Sequence, residues 1–474
     1  MNILLLSNGA PNYHHFFNHL VKKFYSDGAH VVVAVDSEFS RDINELAALP
    51  FEINEFSNYF SKHKTNNDLL EKYADLNLNA ALLSDFERAE VYGIWDKKNN
   101  EYFERLKSAL LSYFEDLFHR HSINVVIYEN VSNTFAHFAL FVAQKHGATY
   151  CGIGGSRLPG RFSITADPLN DNCPSEIFKE IRSGKREVEQ DVRAWCEAYL
   201  ANIETIVPDY MKINGLDSTS LLKRYVRWDR VKTIFKLIQH ADDDAAHSFQ
   251  VGNPISHYFS LFKRNVERKI KIKWLDDYYD TPVRSDRFLL YPLHFHPESS
   301  TSILAGAYLN EYEVIRNIAF NLPQGIKLYV KDHVSAYGFP SISFYKKLKK
   351  LPNVRVLAPH EQTKLLIKQS IAVITLTSTV GYEALLLGKR VFLYGSVFYE
   401  FHENVINVSN ESRLHGTILN GLRTPLVTDM DYTLDFIAAY FLSTKSGALN
   451  LMLTRNPAYL MADGVYKKVV DHLK

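Results

Sequence analysis

The sequence predicts an α/β protein made of two Rossmann-like domains that face each other across a cleft, with a helical insert. Three observations predict this class. The apolar runs Asn2–Ser7 and His30–Val35 flank a helix-like stretch, which makes a βαβ unit near the first residue. A second series of strands, loops and helices begins near residue 286. Between the two, residues 167–285 show helical periodicity and few strand-like runs.

Length and composition are those of an ordinary globular chain. The 474 residues suggest two or three domains at roughly 100 to 200 residues each. A net charge of +1 gives no global attraction to nucleic acid, so we expect no nucleic-acid partner. The three cysteines form no C-x-x-C pair, which favours a reducing cytoplasm over a disulfide framework or a zinc knuckle. Without a signal-peptide pattern or a membrane-spanning run, we expect a cytoplasmic protein that is at most peripheral at the inner membrane.

The N-terminal domain, residues 1–166, supplies one wall of the predicted cleft, on the acceptor side. Glu129 follows a strand predicted over 124–128, and a carboxylate there is the candidate general base, or nucleophile at an anomeric carbon. Arg157 and Arg161 lie in a glycine-rich stretch after the next strand and are suited to hold an acidic sugar or a phosphate. The loop after the first strand is expected to line the same cleft with Ser7, Asn8 and Gly9.

The insert or linker, residues 167–285, is predicted to be helical and contains two basic stretches with interleaved aromatic residues, near 223–236 and 263–274. One interpretation is a solvated helix face whose long side chains cover apolar surface. The other is contact with an anionic membrane surface or a lipid-linked acceptor.

The C-terminal domain, residues 286–430, carries three polar clusters, and residues 431–474 are predicted to form C-terminal helices. Each cluster follows an apolar run typical of a buried parallel strand. Ligands of open α/β sheets bind outside the carboxyl ends of the strands. We therefore expect a ligand site at the three clusters, which span residues 291–298, 330–333 and 377–383.

The third cluster predicts a phosphate site at a helix N-terminus. Thr377, Ser378 and Thr379 can each cap the helix, whose free N–H groups attract an anion. Gly381 would permit close approach of the ligand, and Glu383 would accept hydrogen bonds from a ribose or sugar hydroxyl. The alternative is an ordinary strand-to-helix turn with a solvated glutamate.

In the first cluster, Pro297 favours an extended His296, which directs His294 and His296 to the same side, with Glu298 beside them. We interpret this as a phosphate or sugar site. A zinc site and purely structural histidines are the alternatives.

In the second cluster, Lys331 and His333 alternate at a strand end and should share a face, where they would neutralise a leaving phosphate. The alternative is a solvated lysine at a strand end.

These residues resemble the capsule polysaccharide biosynthesis family of bacterial GT-B glycosyltransferases, which includes the retaining β-Kdo transferases. The matching pieces are His296-Pro297-Glu298, the Lys-Asp-His stretch at 331–333, and Ser378-Thr-Val-Gly-Tyr-Glu-Ala-Leu385. The resemblance is clearest over residues 286–400. One departure is that relatives commonly have Lys-Glu-His-Pro, whereas this chain has Lys-Asp-His-Val at 331–334.

The resemblance implies a nucleotide-sugar donor, often a CMP-activated ulosonic acid, and transfer onto a surface glycan or its lipid carrier. It implies that His296 and Ser378 hold the donor phosphate and Glu383 the nucleotide ribose. It also implies that Glu129 performs the chemistry. We therefore assign catalysis to Glu129, together with His296 at the donor phosphate.

We expect a glycosyltransferase that needs no metal, because no acidic pair of the D-x-D kind stands at a strand end, and no cofactor besides the nucleotide sugar. The alternatives are a UDP-sugar-dependent transferase, a sugar-nucleotide epimerase or hydrolase on the same fold, and a glycan-binding protein without turnover.

Overall fold

The computed structural model describes residues 1–206 and 247–473. These residues divide into two compact units. In described residues, unit 1 contains 1–169, 247–262 and 444–473, and unit 2 contains 170–206 and 263–443.

Thirteen strands occur in the described residues. They are β1 (Asn2–Ser7), β2 (His30–Val35), β3 (Glu52–Glu55), β4 (Val125–Glu129), β5 (Thr149–Gly155), β6 (Arg161–Thr165), β7 (Arg287–Pro292), β8 (Ile326–Lys331), β9 (Val354–Leu357), β10 (Ala372–Thr375), β11 (Arg390–Leu393), β12 (Val405–Asn407) and β13 (Lys445–Ser446).

Unit 1 is built on one sheet with the strand order β13-β6-β5-β4-β1-β2-β3. The five strands from β5 to β3 are parallel, while β6 and β13 pair antiparallel at one edge. The central strands are continuous apolar runs because helices cover both faces of such a sheet. Its helices are Tyr13–Ser26, Glu38–Ile43, Phe56–Lys62, Asn67–Lys72, Leu78–Leu83, Phe86–Tyr92, Asn100–His121, Thr134–Lys145 and Arg455–Leu473.

Unit 2 is built on an all-parallel sheet with the order β12-β11-β10-β7-β8-β9. Its core cluster lies on one face of the sheet, where alternate strand residues such as Leu289, Leu328 and Ile374 pack against helices. The helices are Cys173–Arg182, Gln190–Ala201, Ser299–Leu304, Glu311–Asn321, Ile342–Leu348, Thr363–Gln369, Thr379–Leu386, Leu414–Arg423 and Met430–Ser443. The helix Pro254–Leu275 runs through the point at which the chain passes from unit 1 to unit 2.

Two parallel, Rossmann-like α/β units in one chain are the parts of a GT-B fold, so the predicted fold class is confirmed. Their placement across a cleft stays a prediction.

The segment predicted as an insert, 167–285, is divided between the units in the described residues. The helices Cys173–Arg182 and Gln190–Ala201 pack on the helix Met430–Ser443 of unit 2, and Asp435 of that helix pairs with Arg182 and Arg193 at 2.9 and 2.7 Å. The predicted tail, 431–474, is divided as well. Its last helix, Arg455–Leu473, packs on the helix Tyr13–Ser26 of unit 1.

Candidate functional site

The three clusters of unit 2 follow neighbouring strands. In the sheet, β7 lies between β10 and β8, so the loops after these strands leave the same edge side by side. His294, after β7, connects two clusters, because its Nε2 lies 3.4 Å from both Thr375 Oγ1 and the Thr377 backbone nitrogen. The first and third clusters therefore lie together, as their positions at the strand ends predicted.

Glu311 is the residue that organises the first cluster, and the sequence analysis did not single it out. It begins the helix Glu311–Asn321 and is only 8% exposed. Its carboxylate accepts hydrogen bonds from the Tyr291 hydroxyl at 2.9 Å and from His294 Nδ1 at 2.8 Å, and it lies 3.3 Å from His296 Nε2. Burial acts to raise the pKa of Glu311, but hydrogen bonds from the two histidines lower it to about 2.

The two histidines of the first cluster thus have different surroundings. His294 is buried between Glu311 and the third cluster, so it supports the site rather than facing a ligand directly. His296 is more exposed, with a side chain 21% accessible, and its carbonyl accepts a hydrogen bond from Arg264 at 2.9 Å. Pro297 follows through a cis peptide bond, and Glu298 is exposed just before the helix Ser299–Leu304.

In the third cluster, Ser378 is the N-cap of the helix Thr379–Leu386. Its Oγ accepts a hydrogen bond from the Val380 backbone nitrogen at 3.1 Å, while Thr379 is the first helical residue. The Thr377 hydroxyl is buried and has no hydrogen-bond partner within the described part of the chain. A helix N-terminus next to an unpaired hydroxyl is a suitable place for an anion.

Gly381 and Glu383 have surroundings different from those expected. A Cβ at Gly381 would lie 2.9 Å from Cζ of Tyr399, so the space that glycine leaves is filled by this tyrosine and not left for a ligand. Glu383 is buried in its helix, 3.8 Å from Lys364 Nζ, and burial raises its pKa although Lys364 acts to lower it. Glu383 is therefore not a solvated glutamate, and its predicted role toward a ribose stays a prediction.

The second cluster is also more buried than expected. Lys331 donates to the carbonyl oxygens of Asp332 and Pro359 at 3.2 and 2.9 Å, and burial lowers its pKa to about 8. His333 Nδ1 accepts a hydrogen bond from the Ser335 nitrogen at 3.2 Å. Burial, with His294 and Lys331 nearby, lowers the pKa of His333 to about 4. At neutral pH His333 is thus uncharged, and Lys331 is committed to the backbone rather than directed with His333 toward a phosphate.

In unit 1, Glu129 is the last residue of β4 and is partly buried. Its carboxyl accepts hydrogen bonds from the Ser132 hydroxyl at 2.6 Å and from the Tyr13 hydroxyl. Burial raises the pKa of Glu129 to about 7, although both hydrogen bonds and Arg88 favour the charged form. The Glu129 charge, followed by burial, raises the pKa of Tyr13 far above its usual value, so Tyr13 remains a donor.

The loop after β1 is held from within unit 1. Asn44 donates to Ser7 Oγ at 2.9 Å and to the Asn8 carbonyl at 2.7 Å, and the Asn8 side chain accepts from the Ala10 nitrogen. Ser7 and Asn8 line a small pocket together with Tyr13. A Cβ added at the neighbouring Gly9 would meet Ser40 Oγ at 3.5 Å, an ordinary contact distance.

The two arginines predicted to hold an acidic group lie at opposite ends of the β5–β6 turn region. Arg161 donates from Nε to Thr444 Oγ1 at 2.6 Å and from a terminal nitrogen to the Thr444 carbonyl at 2.8 Å. This arginine therefore fastens β13 to β6, and its predicted role as a ligand for an acidic sugar stays a prediction. Arg157 is half-buried in the turn before β6.

Glu311 and Tyr13 escaped the sequence analysis for the same reason. Each begins a helix some distance along the chain from its partners, with no motif around it. The sequence did offer one signal for Glu311: it begins the first long helix after β7, and the start of such a helix lies near the end of the preceding strand.

One group in the described residues has the geometry of a metal site: Glu115, His119 and His146. Glu115 already accepts from the Lys72 ammonium and from Tyr73 at 2.7 Å, and His146 lies at 2.7 Å. These contacts account for the buried carboxylate without an ion.

Of the two basic stretches predicted near 223–236 and 263–274, the structure describes the second. The one near 223–236 lies outside the described residues. Within 263–274, Arg264 and Arg268 lie over the Phe339 ring, and Lys271 donates to the Phe339 carbonyl at 3.3 Å. No helix in the described ranges is both long and apolar enough to cross a membrane.

Comparison with known proteins gives one sequence match. The family described as "Capsule polysaccharide biosynthesis protein" matches residues 228–405, somewhat less than half of the chain. The predicted resemblance is thereby confirmed over this segment. No curated protein sequence matches the chain.

Several solved structures share parts of the fold. A β-Kdo 2,4 transferase, KpsC of Thermosulfurimonas dismutans, is 15% identical over 67% of this chain and 78% of its own, with a TM-score of 0.35. The UDP-GlcNAc 2-epimerase of Methanocaldococcus jannaschii is 12% identical over 98% of this chain and 100% of its own, with a TM-score of 0.28. Likenesses at these scores carry no argument about function.

Proposed function

We propose that the chain is a glycosyltransferase of surface-polysaccharide assembly, because residues 228–405 match the capsule polysaccharide biosynthesis family. It moves a sugar from a nucleotide donor to a bacterial surface polysaccharide or its lipid-linked precursor. The observation that carries the proposal is the meeting of His294, His296 and the N-terminus of the helix Thr379–Leu386 at one sheet edge. This edge lies within the matched segment.

The donor nucleotide is proposed to bind at that edge of unit 2. A phosphate fits the N-terminus of the helix, where Thr377 and Ser378 supply hydroxyls. His296 provides a further donor to the same phosphate. The sugar is proposed to be a CMP-activated ulosonic acid such as Kdo, on the resemblance of the motifs. On the same resemblance, Glu383 is proposed to accept hydrogen bonds from the nucleotide ribose.

Glu129 is proposed as the group of unit 1 that acts at the anomeric carbon. A carboxyl whose pKa is about 7 exchanges its proton near neutral pH, as general acid–base catalysis requires. Tyr13 and Ser132 would hold it in one orientation. The reaction is proposed to need no metal, and the test is transfer that continues in EDTA.

The chain is further proposed to act in the cytoplasm at the surface of the inner membrane, where a lipid-linked acceptor is found. On the helix Pro254–Leu275, Ile270 and Trp274 are 56% and 63% exposed. Lys263, Lys269 and Lys273 are exposed on the same helix. Aromatic and aliphatic residues flanked by lysines suit an interface with anionic lipid.

The test begins with thermal-shift measurements against CMP, UDP, GDP and dTDP, because a ligand that binds only the folded state raises the melting temperature. We expect CMP to raise it most. A melting temperature raised by UDP alone would contradict the ulosonic-acid donor but would still agree with a transferase. Incubation with the matching nucleotide sugar then separates the reactions: turnover without any acceptor would indicate an epimerase or hydrolase. Binding of glycan without turnover would indicate a binding protein.

A further inference from the structure

The Glu311 carboxylate contacts three side chains of the candidate nucleotide site, those of Tyr291, His294 and His296. Oε1 accepts from Tyr291, from His294 Nδ1 and, at 3.1 Å, from the His294 backbone nitrogen. Oε2 faces His296 Nε2 at 3.3 Å. Because a buried carboxylate must be paired, these contacts fix the positions of both histidines relative to the helix Glu311–Asn321.

The hydrogen bonds determine the state of His294. A carboxylate only accepts, so His294 Nδ1 carries a proton. The Thr377 backbone nitrogen only donates, so His294 Nε2, 3.4 Å away, presents its lone pair. His294 is therefore a neutral imidazole with both nitrogens engaged, and it connects Glu311 to the third cluster.

His296 is placed differently, because its Nε2 faces the second oxygen of the same carboxylate. Charged and titratable groups around it include His294, His333, the exposed Glu298 two residues on and the Arg264 guanidinium at its carbonyl oxygen, and Lys331 lies beside His333. Of these, His333 is neutral at pH 7, and Lys331 is bonded to backbone carbonyls. A carboxylate within hydrogen-bonding reach favours the protonated imidazole. Glu311 is the described group that does so here.

We propose that Glu311 is a positioning residue that holds His294 as a neutral support and presents His296 as an imidazolium to the donor phosphate. The inference deepens the proposed function and rests on it, because it concerns the same nucleotide site. A charge-assisted hydrogen bond from an imidazolium to a phosphate oxygen is about twice as strong as one from a neutral ring. Nucleotide affinity then depends on the charge of Glu311 without any contact between Glu311 and the ligand.

The first test reads the protonation of His296 without any ligand. Protein labelled with [¹³Cε1]histidine is titrated by NMR, and His296→Gln identifies the His296 signal. We expect a wild-type midpoint above about 6.5, the ordinary value for histidine. Glu311→Gln should lower it by about one pH unit or more, because the neutral amide removes the attraction. Glu313→Gln, on the same helix with an exposed side chain, is the matched control and should change nothing.

The second test measures binding of the methyl ester of CMP, whose phosphodiester does not titrate near neutral pH. Wild-type affinity should fall as pH rises through the His296 midpoint. Glu311→Gln should bind about tenfold more weakly at pH 7 and approach the wild type at lower pH. Glu313→Gln should follow the wild-type curve throughout.

Failure of the inference differs from failure of the proposed function. A wild-type His296 midpoint below about 6.5, or one unmoved in Glu311→Gln, overturns the inference whatever binds. If Glu311→Gln does not fold, the inference is judged from the titration midpoint of His296 in the wild-type protein alone. The His296 midpoint could be raised while His296→Gln leaves the affinity for the CMP ester unchanged. This pair of results would support the positioning of His296 and overturn its role in nucleotide binding.

Discussion

Among single residues, Glu129 combines a strand-end position with an ionisation near neutral pH. Its pKa is raised from 4.5 to about 7, chiefly by burial. Because its pKa is higher in the folded than in the unfolded protein, ionisation of Glu129 lowers the free energy of unfolding. The contribution of Glu129 is complete below pH 4.5, where it is protonated in both the folded and unfolded states, and is lost as pH rises through about 7.

We therefore expect Glu129→Gln to lower transfer by about 100-fold or more while stabilising the protein at alkaline pH. At pH 8 the ionised Glu129 costs up to about 3 kcal/mol, which the amide avoids. Urea unfolding at pH 5 and pH 8 measures this: the gain in free energy of unfolding should be larger at pH 8.

Glu298→Gln is the control, because Glu298 is exposed and should show no such gain. Full transfer activity in Glu129→Gln would contradict its catalytic role. An equal effect on stability at both pH values would contradict the raised pKa.

Side-chain partners were the part of the site that the sequence could not predict. Lys331 was expected to face a ligand or solvent, yet it is buried on the carbonyl of Pro359, which lies in another loop. Glu311 was missed because its partners precede it by 15 to 20 residues. Such pairings depend on rotamers and on loops that return from elsewhere in the fold, and local periodicity contains neither.

Strands and helices, by contrast, were predicted well wherever they alternate as apolar runs and capped turns. The apolar run before the second cluster is β8, and the one before the third cluster contains β10. The predicted cap Ser378 caps its helix. Buried parallel strands are continuous apolar segments, so their ends are visible in the sequence, and with them the edge at which a ligand is expected.

The absence of a side chain at Gly381 lets the helix Thr379–Leu386 pack closely against Tyr399. An added methyl group at Gly381 would push on the Tyr399 ring, whose hydroxyl donates to the Ser378 carbonyl at 2.7 Å. We expect Gly381→Ala to reduce stability by about 1 to 3 kcal/mol, the usual cost of overpacking. It should also weaken nucleotide binding, because Ser378 moves with Tyr399.

Gly416→Ala is the matched control, since Gly416 also lies in a helix but an added methyl group meets nothing within 4 Å. It should be neutral or slightly stabilising. Thermal melts of Gly381→Ala, of Tyr399→Phe and of the two combined complete a double-mutant cycle. Removing the hydroxyl should recover part of the loss; a purely additive double variant would contradict the contact.

At the scale of the whole molecule, the proposed membrane contact predicts binding to anionic vesicles that weakens as salt increases. Lys269→Glu with Lys273→Glu should lower the partition coefficient for phosphatidylglycerol-containing vesicles by about tenfold or more, at roughly 1 kcal/mol for each lysine. Cosedimentation measures it. Lys346→Glu with Lys350→Glu makes the same change in net charge at exposed positions elsewhere in unit 2. Equal losses in both double variants would indicate net charge alone and contradict a site on this helix.

Unit 1 is discontinuous, which has a consequence for synthesis on the ribosome. The chain leaves unit 1 after residue 169 and supplies the helix Arg455–Leu473 only near its end. Until then the helix Tyr13–Ser26 lacks the neighbour that carries Asp463, which pairs with His19 and Lys23 at 2.9 and 2.8 Å. Unit 2 is complete once residue 443 has emerged. Unit 2, although second in the sequence, is thus the first that can finish folding during translation.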